Sequence, residues 1–147
     1  MPVKIDNRNI DNRTGSSKPA GSTSSSGEAF RGSLKDAHVA IFNGNMKELI
    51  EVVKARGEKF VRNPEEGLLN SYKESVKLFL NKLKEEFLSL KEEFGAKRDG
   101  EQKVYQTVQS VESEVNAMTR EALSEGKAID LLASLDDIRG LVLDVIG

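Results

Sequence analysis

The chain has 147 residues, of which 31% are charged and only 5% aromatic, and this composition is typical of a helical bundle rather than a β-sandwich. It contains no cysteine, which excludes disulfides, thiolate metal ligands and a cysteine nucleophile. The formal net charge of −2 gives no overall attraction to nucleic acid or to an anionic membrane, and no stretch approaches the ~18 apolar residues of a membrane span.

Residues 1–27 are predicted to form a disordered tail. The run at 14–27 is rich in Ser and Gly and offers too little apolar surface to offset the entropy of ordering. The sequence Ile-Asp-Asn-Arg occurs at 5–8 and again at 10–13, which is either a short linear motif that orders on binding or a chance repeat. The first residues lack the apolar segment of a signal peptide. We therefore expect the helical bundle domain to occupy 28–147.

Two helices are predicted in the first part of this domain, over Glu28–Phe42 and Met46–Val61. The sequence Asn-Gly-Asn at 43–45 favours a turn between them, because Asn45 can cap the second helix. Gly57 interrupts the apolar stripe of the second helix, which indicates a close approach of two backbones.

The longest predicted helix runs from Pro64 to Phe94. Asn63 is a favourable N-cap before a proline at the first helical position, and Gly95 supplies a stop. Between them, apolar residues recur in steps of three and four, which is the spacing of one helical face. A single stripe of this length needs partners along all of it, so it predicts a helical hairpin or bundle.

A polar turn at Ala96–Gly100 should lead into an antiparallel helix over Glu101–Glu125. This helix carries a strict heptad seam that would pack against the long helix. The seam consists of Val104, Val108, Val111, Val115, Met118 and Ala122.

The last predicted helix, Lys127–Ile146, is apolar on more than one face. Gly140 within it suggests that a neighbour packs closely there. The excess apolar surface indicates either burial in the monomer or contact with a protein partner or a second copy in a homodimer. The residues predicted to contact a partner are Leu131, Leu135, Ile138 and Val142. The fold is predicted to be all-α, an antiparallel helical bundle of four to five helices with a long central helical hairpin.

Two segments resemble signatures of the YaaR-like family of small, all-helical bacterial proteins. One is Ser-Tyr-Lys-Glu-Ser-Val-Lys-Leu-Phe at 71–79, and the other is Ile-Asp-Leu-Leu at 129–132 followed by Ile-Arg-Gly-Leu at 138–141. The resemblance covers roughly residues 28–147. It implies a cytoplasmic helical bundle, and it supplies no catalytic or binding residue to transfer.

The residue inventory argues against an enzyme. His38 is the sole histidine, and no other ligands surround it at a metal-binding spacing. Asp136 and Asp137 lack the Glu-x-x-His spacing of di-iron bundles, and no phosphate-binding glycine loop is present. We therefore expect no catalytic, metal-binding or cofactor-binding residue, and no cofactor.

Two binding functions remain open. A non-catalytic protein-interaction or scaffold module would dock through its helix faces, with an unidentified protein partner. The alternative is a nucleic-acid-binding accessory protein that uses Lys-rich helix faces, although interleaved acidic residues disfavour it. Charge is uneven, since residues 1–64 hold 11 Lys/Arg against 7 Asp/Glu and residues 99–147 hold 4 against 10. This asymmetry either steers a partner or is complemented within the bundle.

Overall fold

A computed structural model describes the backbone of residues 20–147 and the side chains of residues 27–123 and 126–147. In this part of the chain the predicted all-α class is confirmed, with five α-helices and no β-strand. The helices are α1 (Ala20–Arg62), α2 (Glu66–Phe94), α3 (Arg98–Asn116), the short α4 (Arg120–Ala122) and α5 (Ala128–Val145), with a π-helical turn at Leu123–Lys127 before α5.

The chain divides into two compact units, residues 1–37 and residues 38–147. In the first unit, residues 20–37 form the beginning of α1, and the side chain of Phe30 there is exposed. The predicted tail falls outside the described residues as far as position 19, whereas residues 20–27 belong to α1. The helix therefore begins earlier than the predicted start at position 28. All features described below lie in the second unit.

The predicted turn at 43–45 is wrong, because α1 continues through it without a break. Neighbouring helices hold this stretch in helical form. Asn43 accepts a hydrogen bond from the guanidinium of Arg139 on α5, and Asn45 donates to Glu86 on α2 at 3.3 Å. Phe42 is also fully buried. These tertiary contacts offset the cost of about 1 kcal/mol that a glycine imposes on a helix interior.

The predicted cap of the long helix is also wrong. Helix α2 begins at Glu66 and its N-cap is Glu65. Asn63 instead ends α1, since its backbone N–H donates to the carbonyl of Phe60 at 3.0 Å. Its side-chain NH2 donates to Glu65 at 3.1 Å, and the N-terminus of α2 has no side-chain cap.

The central hairpin joins α2 to α3 through residues 95–97, which is shorter than the predicted turn. Gly95 ends α2 with a φ of 83°, as predicted for a glycine stop. Gly100 lies in the first turn of α3 rather than in the loop. A Cβ on Gly100 would lie 2.8 Å from the Cβ of Val145, so this position needs glycine because α5 packs directly against it.

The seam predicted on α3 is confirmed, although the helix ends at Asn116. Its valines and Met118 are buried and Ala122 is partly buried. The prediction for Gly140 is wrong, because a Cβ there would meet no described atom within 4 Å.

Cross-helix contacts define how the helices run. Near the middle of α1, the ring of His38 meets Phe94 edge-on, with 5.5 Å between centroids. Closer to its C-terminal end, Arg56 donates to the carbonyl of Ser71 at 2.9 Å, so α1 and α2 are antiparallel. The contacts of Asn43 and of Gly57 with α5 likewise make α1 antiparallel to α5.

The hairpin end of the bundle is closed by backbone and side-chain bonds. The N–H of Lys97 donates to the carbonyl of Val145 at 2.9 Å, and the N–H of Gly147 donates to the carbonyl of Gly95 at 3.0 Å. Nearby, the ammonium of Lys91 lies 2.8 Å from the carboxylate of Glu101. It also donates to the hydroxyl of Tyr105 at 3.3 Å. We call this region the hairpin end.

Candidate functional site

The four residues predicted to contact a partner all lie in the core. They recur in steps of four, three and four, which places them on one face of α5. That face is enclosed by the bundle, so each side chain is buried within the monomer. The residues are Leu131, Leu135, Ile138 and Val142. The prediction of an accessible docking surface at these positions is therefore corrected.

The other flank of α5 borders an open groove whose floor is the meeting point of three helices. Gly57 of α1 lies against the ring of Tyr72 from α2, and a Cβ on this glycine would be 3.1 Å from the ring. The same Cβ would lie 3.8 Å from the Cβ of Ala128 on α5. The predicted close approach at Gly57 is thus present, but it brings the helix backbone to side chains rather than to a second backbone.

Apolar side chains form the walls of this groove. Val53 and Val61 line it from α1, while Ile129 and Leu132 line it from α5. Ile129 is 74% exposed and Val61 is 54% exposed, so both rims present apolar surface to solvent. The groove has a volume of about 550 Å³, which falls in the range of ligand pockets. We call it the α1–α5 groove.

Charged residues stand along the α1 rim of the groove. Lys54, Glu58 and Arg62 follow one another at four-residue spacing on α1 and all three line the groove. None forms an ion pair or a side-chain hydrogen bond with another described residue. The rim therefore carries two cations and one anion that are available to a ligand.

Further along the same interface, a polar cluster occupies the space between α1 and α5. Arg139 donates to Asn43 across the two helices and forms a 2.8 Å ion pair with Asp136. Its side chain is largely covered, at 15% exposure. This cluster separates the groove from the hairpin end.

The hydroxyl of Tyr72 is the unusual polar group at the floor. Tyr72 is fully buried, and its hydroxyl has no hydrogen-bond partner among the described residues. Burial, and secondarily the negative charge of Glu114, raise the pKa of this phenol above its ordinary range. A buried hydroxyl without a partner is destabilising, which marks the floor of the groove as incompletely optimised for stability.

The Lys-rich face of α2 is largely neutralised by α3. Lys84 pairs with Glu112 at 3.3 Å, and Lys91 pairs with Glu101 at 2.8 Å. The bond to Glu101 raises the pKa of Lys91, so its charge is retained within the bundle. Lys77, Lys84 and Lys91 recur every seven residues along α2, and of these three only Lys77 has no described ion-pair partner.

Other predicted features lie apart from the groove. His38 packs edge-on against Phe94, and its Nδ1 lies 3.9 Å from a carboxylate oxygen of Glu93. Asp136 is engaged by Arg139. Among the described side chains, no three potential ligands of the His, Cys, Asp or Glu type come together as a metal site. No helix of residues 20–147 is both long and apolar enough to span a bilayer.

A family model matches almost the whole chain. The model is described as a protein of unknown function, DUF327, and it matches residues 4–146. The chain belongs to this family. DUF327 is the YaaR-like family whose signatures the sequence resembles, so that resemblance is confirmed. The match also extends through most of residues 1–27, where the sequence resemblance was weakest. No curated protein and no solved structure shows significant similarity to the chain.

The sequence analysis placed the predicted partner contacts on the face of α5 that is buried. Ile129 lies off the stripe formed by the four buried residues, and its position on a helical wheel alone would have placed it outside. Tyr72 was predicted as part of a core stripe, and nothing in the sequence signals that its hydroxyl is unpartnered. Whether this hydroxyl has a hydrogen-bond partner depends on the residues that α1 and α5 place around it.

Proposed function

We propose that this protein is a non-catalytic helical interaction module, and that a protein partner docks in the α1–α5 groove. The observation that carries the proposal is the pair of exposed apolar rims, Val61 and Ile129, over an apolar floor next to unpaired charges. Interfaces of this type place apolar side chains in a pocket and surround them with a polar rim. The module is proposed to act in the cytoplasm, as the family resemblance implies.

The scarcity of nucleophile and base residues supports the non-catalytic part of this proposal. The chain has one histidine and no cysteine, and His38 packs on Phe94 away from the groove. The groove contributes lysine, arginine and glutamate at its rim without a hydrogen-bonded pair among them. Binding therefore fits this surface better than acid–base chemistry.

Site-specific photo-crosslinking in cells tests the docking site. A photoreactive amino acid replaces Ile129 in one variant and Ile41 in the other. Ile41 is a matched control because it is also an exposed isoleucine, at 63%, and does not line the groove. We expect a protein adduct from position 129 that is absent from position 41. The same adducts at both positions, or none from position 129, would contradict docking in the groove.

Nucleic-acid binding is retained as the alternative because α1 ends in cations without described partners. These are Lys54, Lys59 and Arg62. Short single- and double-stranded oligonucleotides should show no binding at roughly tens of micromolar protein and low salt. Salt-dependent binding that Lys59→Glu weakens as much as Lys54→Glu would favour phosphate recognition along the helix end over a protein site in the groove.

A further inference from the structure

We infer that the occupant of the α1–α5 groove is an amphipathic helix with acidic residues beside its apolar face. This inference rests on the proposed function and specifies the chemistry of the partner. It draws on the shape of the groove and on the charges along its α1 rim.

The shape of the groove favours a helix. Two antiparallel helices form its sides, and a third helix can lie along such a depression with its side chains inserted between theirs. The α1 side runs from Val53 to Arg62, which spans ~14 Å at about 1.5 Å per residue. That length matches apolar anchors on two successive turns of a partner helix.

The described residues offer no place for an extended peptide to bind by strand addition. Strand addition needs an exposed sheet edge, and residues 20–147 contain no strand. The single bridge in these residues joins Ala96 to Ile146 at the hairpin end. A helix is therefore the form of peptide that the groove accommodates.

The charges along the α1 rim favour a partner that carries negative charge. Lys54 and Arg62 flank Glu58, so cations outnumber the anion along the edge of the groove. All three lack described partners and stay available for pairing across an interface. On the partner helix, carboxylates four residues before and four residues after the position opposite Glu58 would face Lys54 and Arg62. Complementary rim charges of this kind set specificity and association rate more than total affinity.

Helix α2 of a second copy of this chain matches the groove poorly. Leu78 and Leu88 are the large apolar residues exposed on α2, which is the longest helix lying wholly in the second unit. They stand among residues of both signs, including the ion pair of Lys82 with Glu85. A mixed-charge face does not complement a rim with excess positive charge. Light scattering of the purified protein provides the readout for self-association.

The test uses designed, fluorescently labelled helical peptides and measures their binding by anisotropy. The first peptide carries leucines at positions i, i+4 and i+7 with glutamates flanking them. Its twin has lysine at each glutamate position, and a third peptide has alanine at each leucine position. We expect the glutamate peptide to bind about tenfold more tightly than the lysine twin at ~50 mM salt, with a smaller difference at ~500 mM.

Variants of the protein assign this preference to the groove. Ile129→Ser should weaken the glutamate peptide about tenfold, whereas Ile41→Ser should leave it unchanged. Lys54→Glu and Arg62→Glu should each remove most of the preference for glutamate. Lys59→Glu makes the same change of charge in the last turn of α1 but outside the groove, and it should preserve the preference.

Equal binding of the glutamate and lysine peptides would overturn the acidic-helix inference, as would binding of neither. A preference that survives Lys54→Glu and Arg62→Glu but falls with Lys59→Glu would also overturn it. None of these results depends on the cross-link at position 129. An adduct there with no preference among the peptides would retain groove docking and reject the acidic helix, whereas no adduct would reject groove docking itself.

Discussion

The bundle is packed differently at the hairpin end and at the opposite end, which contains the α1–α5 groove and which we call the groove end. At the hairpin end, α5 is tied to the loop by backbone bonds, and Lys91 links Glu101 to Tyr105. At the groove end, Ile129 is exposed and the hydroxyl of Tyr72 is buried without a described partner. The hairpin end is therefore closed by bonds between its loop and α5, whereas the groove end leaves an apolar surface open to solvent.

The backbone differs at the two ends as well. Next to the groove, the chain passes through a π-helical turn with Gly126 at a φ of 98° before α5 begins. Such turns are rare and are frequently found at functional sites. The hairpin end has no π-helical turn; there Gly95, also at a positive φ of 83°, ends α2. The π-helical turn is therefore a backbone feature that distinguishes the groove end.

The largest expected effect tests whether both ends share one core. Val111→Asp places a carboxylate in the seam of α3 and should lower the free energy of unfolding by about 3–5 kcal/mol. Chemical denaturation followed by circular dichroism measures this change. Val61→Asp, on the exposed rim, should cost less than about 0.5 kcal/mol.

Tyrosine fluorescence reports on the two ends separately. The chain has two tyrosines, Tyr72 at the groove floor and Tyr105 at the hairpin end, so each single-tyrosine variant reports on one end. Both should show the same denaturation midpoint after correction for the stability effect of the tyrosine substitution. Separate midpoints would show that the ends do not share a core, whereas a near-neutral Val111→Asp would show that the seam of α3 is not buried.

An intermediate effect is expected from a methyl group at the hairpin end. Gly100→Ala drives a Cβ against Val145, a β-branched residue that cannot easily rotate away, and should cost about 1–3 kcal/mol. Gly44→Ala is the control, because its Cβ meets no described atom within 4 Å in the middle of α1. It should stabilise the protein by about 0.5–1 kcal/mol, and a loss similar to that of Gly100→Ala would contradict the tight packing inferred at α5.

The smallest effects come from the two tyrosines and should have opposite signs. Tyr105→Phe removes an acceptor of Lys91 and should cost about 0.5–1.5 kcal/mol. Tyr72→Phe removes a buried hydroxyl without a described partner and should be neutral or stabilising by up to about 1 kcal/mol. Thermal and chemical denaturation at neutral pH measure both. Equal losses in the two variants would remove the proposed difference between the ends.

The pH dependence of stability at alkaline pH tests the burial of the Tyr72 hydroxyl. Its pKa in the folded state is raised above the ordinary 10.0, so folding favours the neutral phenol. The corresponding stability is present below pH 10 and is lost as the pH rises beyond it. Between about pH 9 and about pH 11, Tyr72→Phe should therefore lose less unfolding free energy than the wild-type protein. Parallel curves would show that Tyr72 is not desolvated.

Much of the architecture follows from local patterns. The three- and four-residue spacing of apolar positions placed α2 and the seam of α3, because helical periodicity is a property of consecutive residues. Glycine also predicted the end of α2 at position 95, since a left-handed residue is favoured there in any context. The composition alone indicated the all-α class.

Tertiary contacts decided what these patterns left open. The Asn-Gly-Asn sequence at 43–45 favours a turn on its own, and it is helical because Arg139 and Glu86 hold its side chains from two other helices. Tertiary packing likewise decides that one apolar face of α5 is buried while Ile129 is exposed. Local sequence determined that α5 is apolar, but only the packing of α1 and α3 against it decided which apolar residues remain accessible, because burial depends on residues distant in sequence.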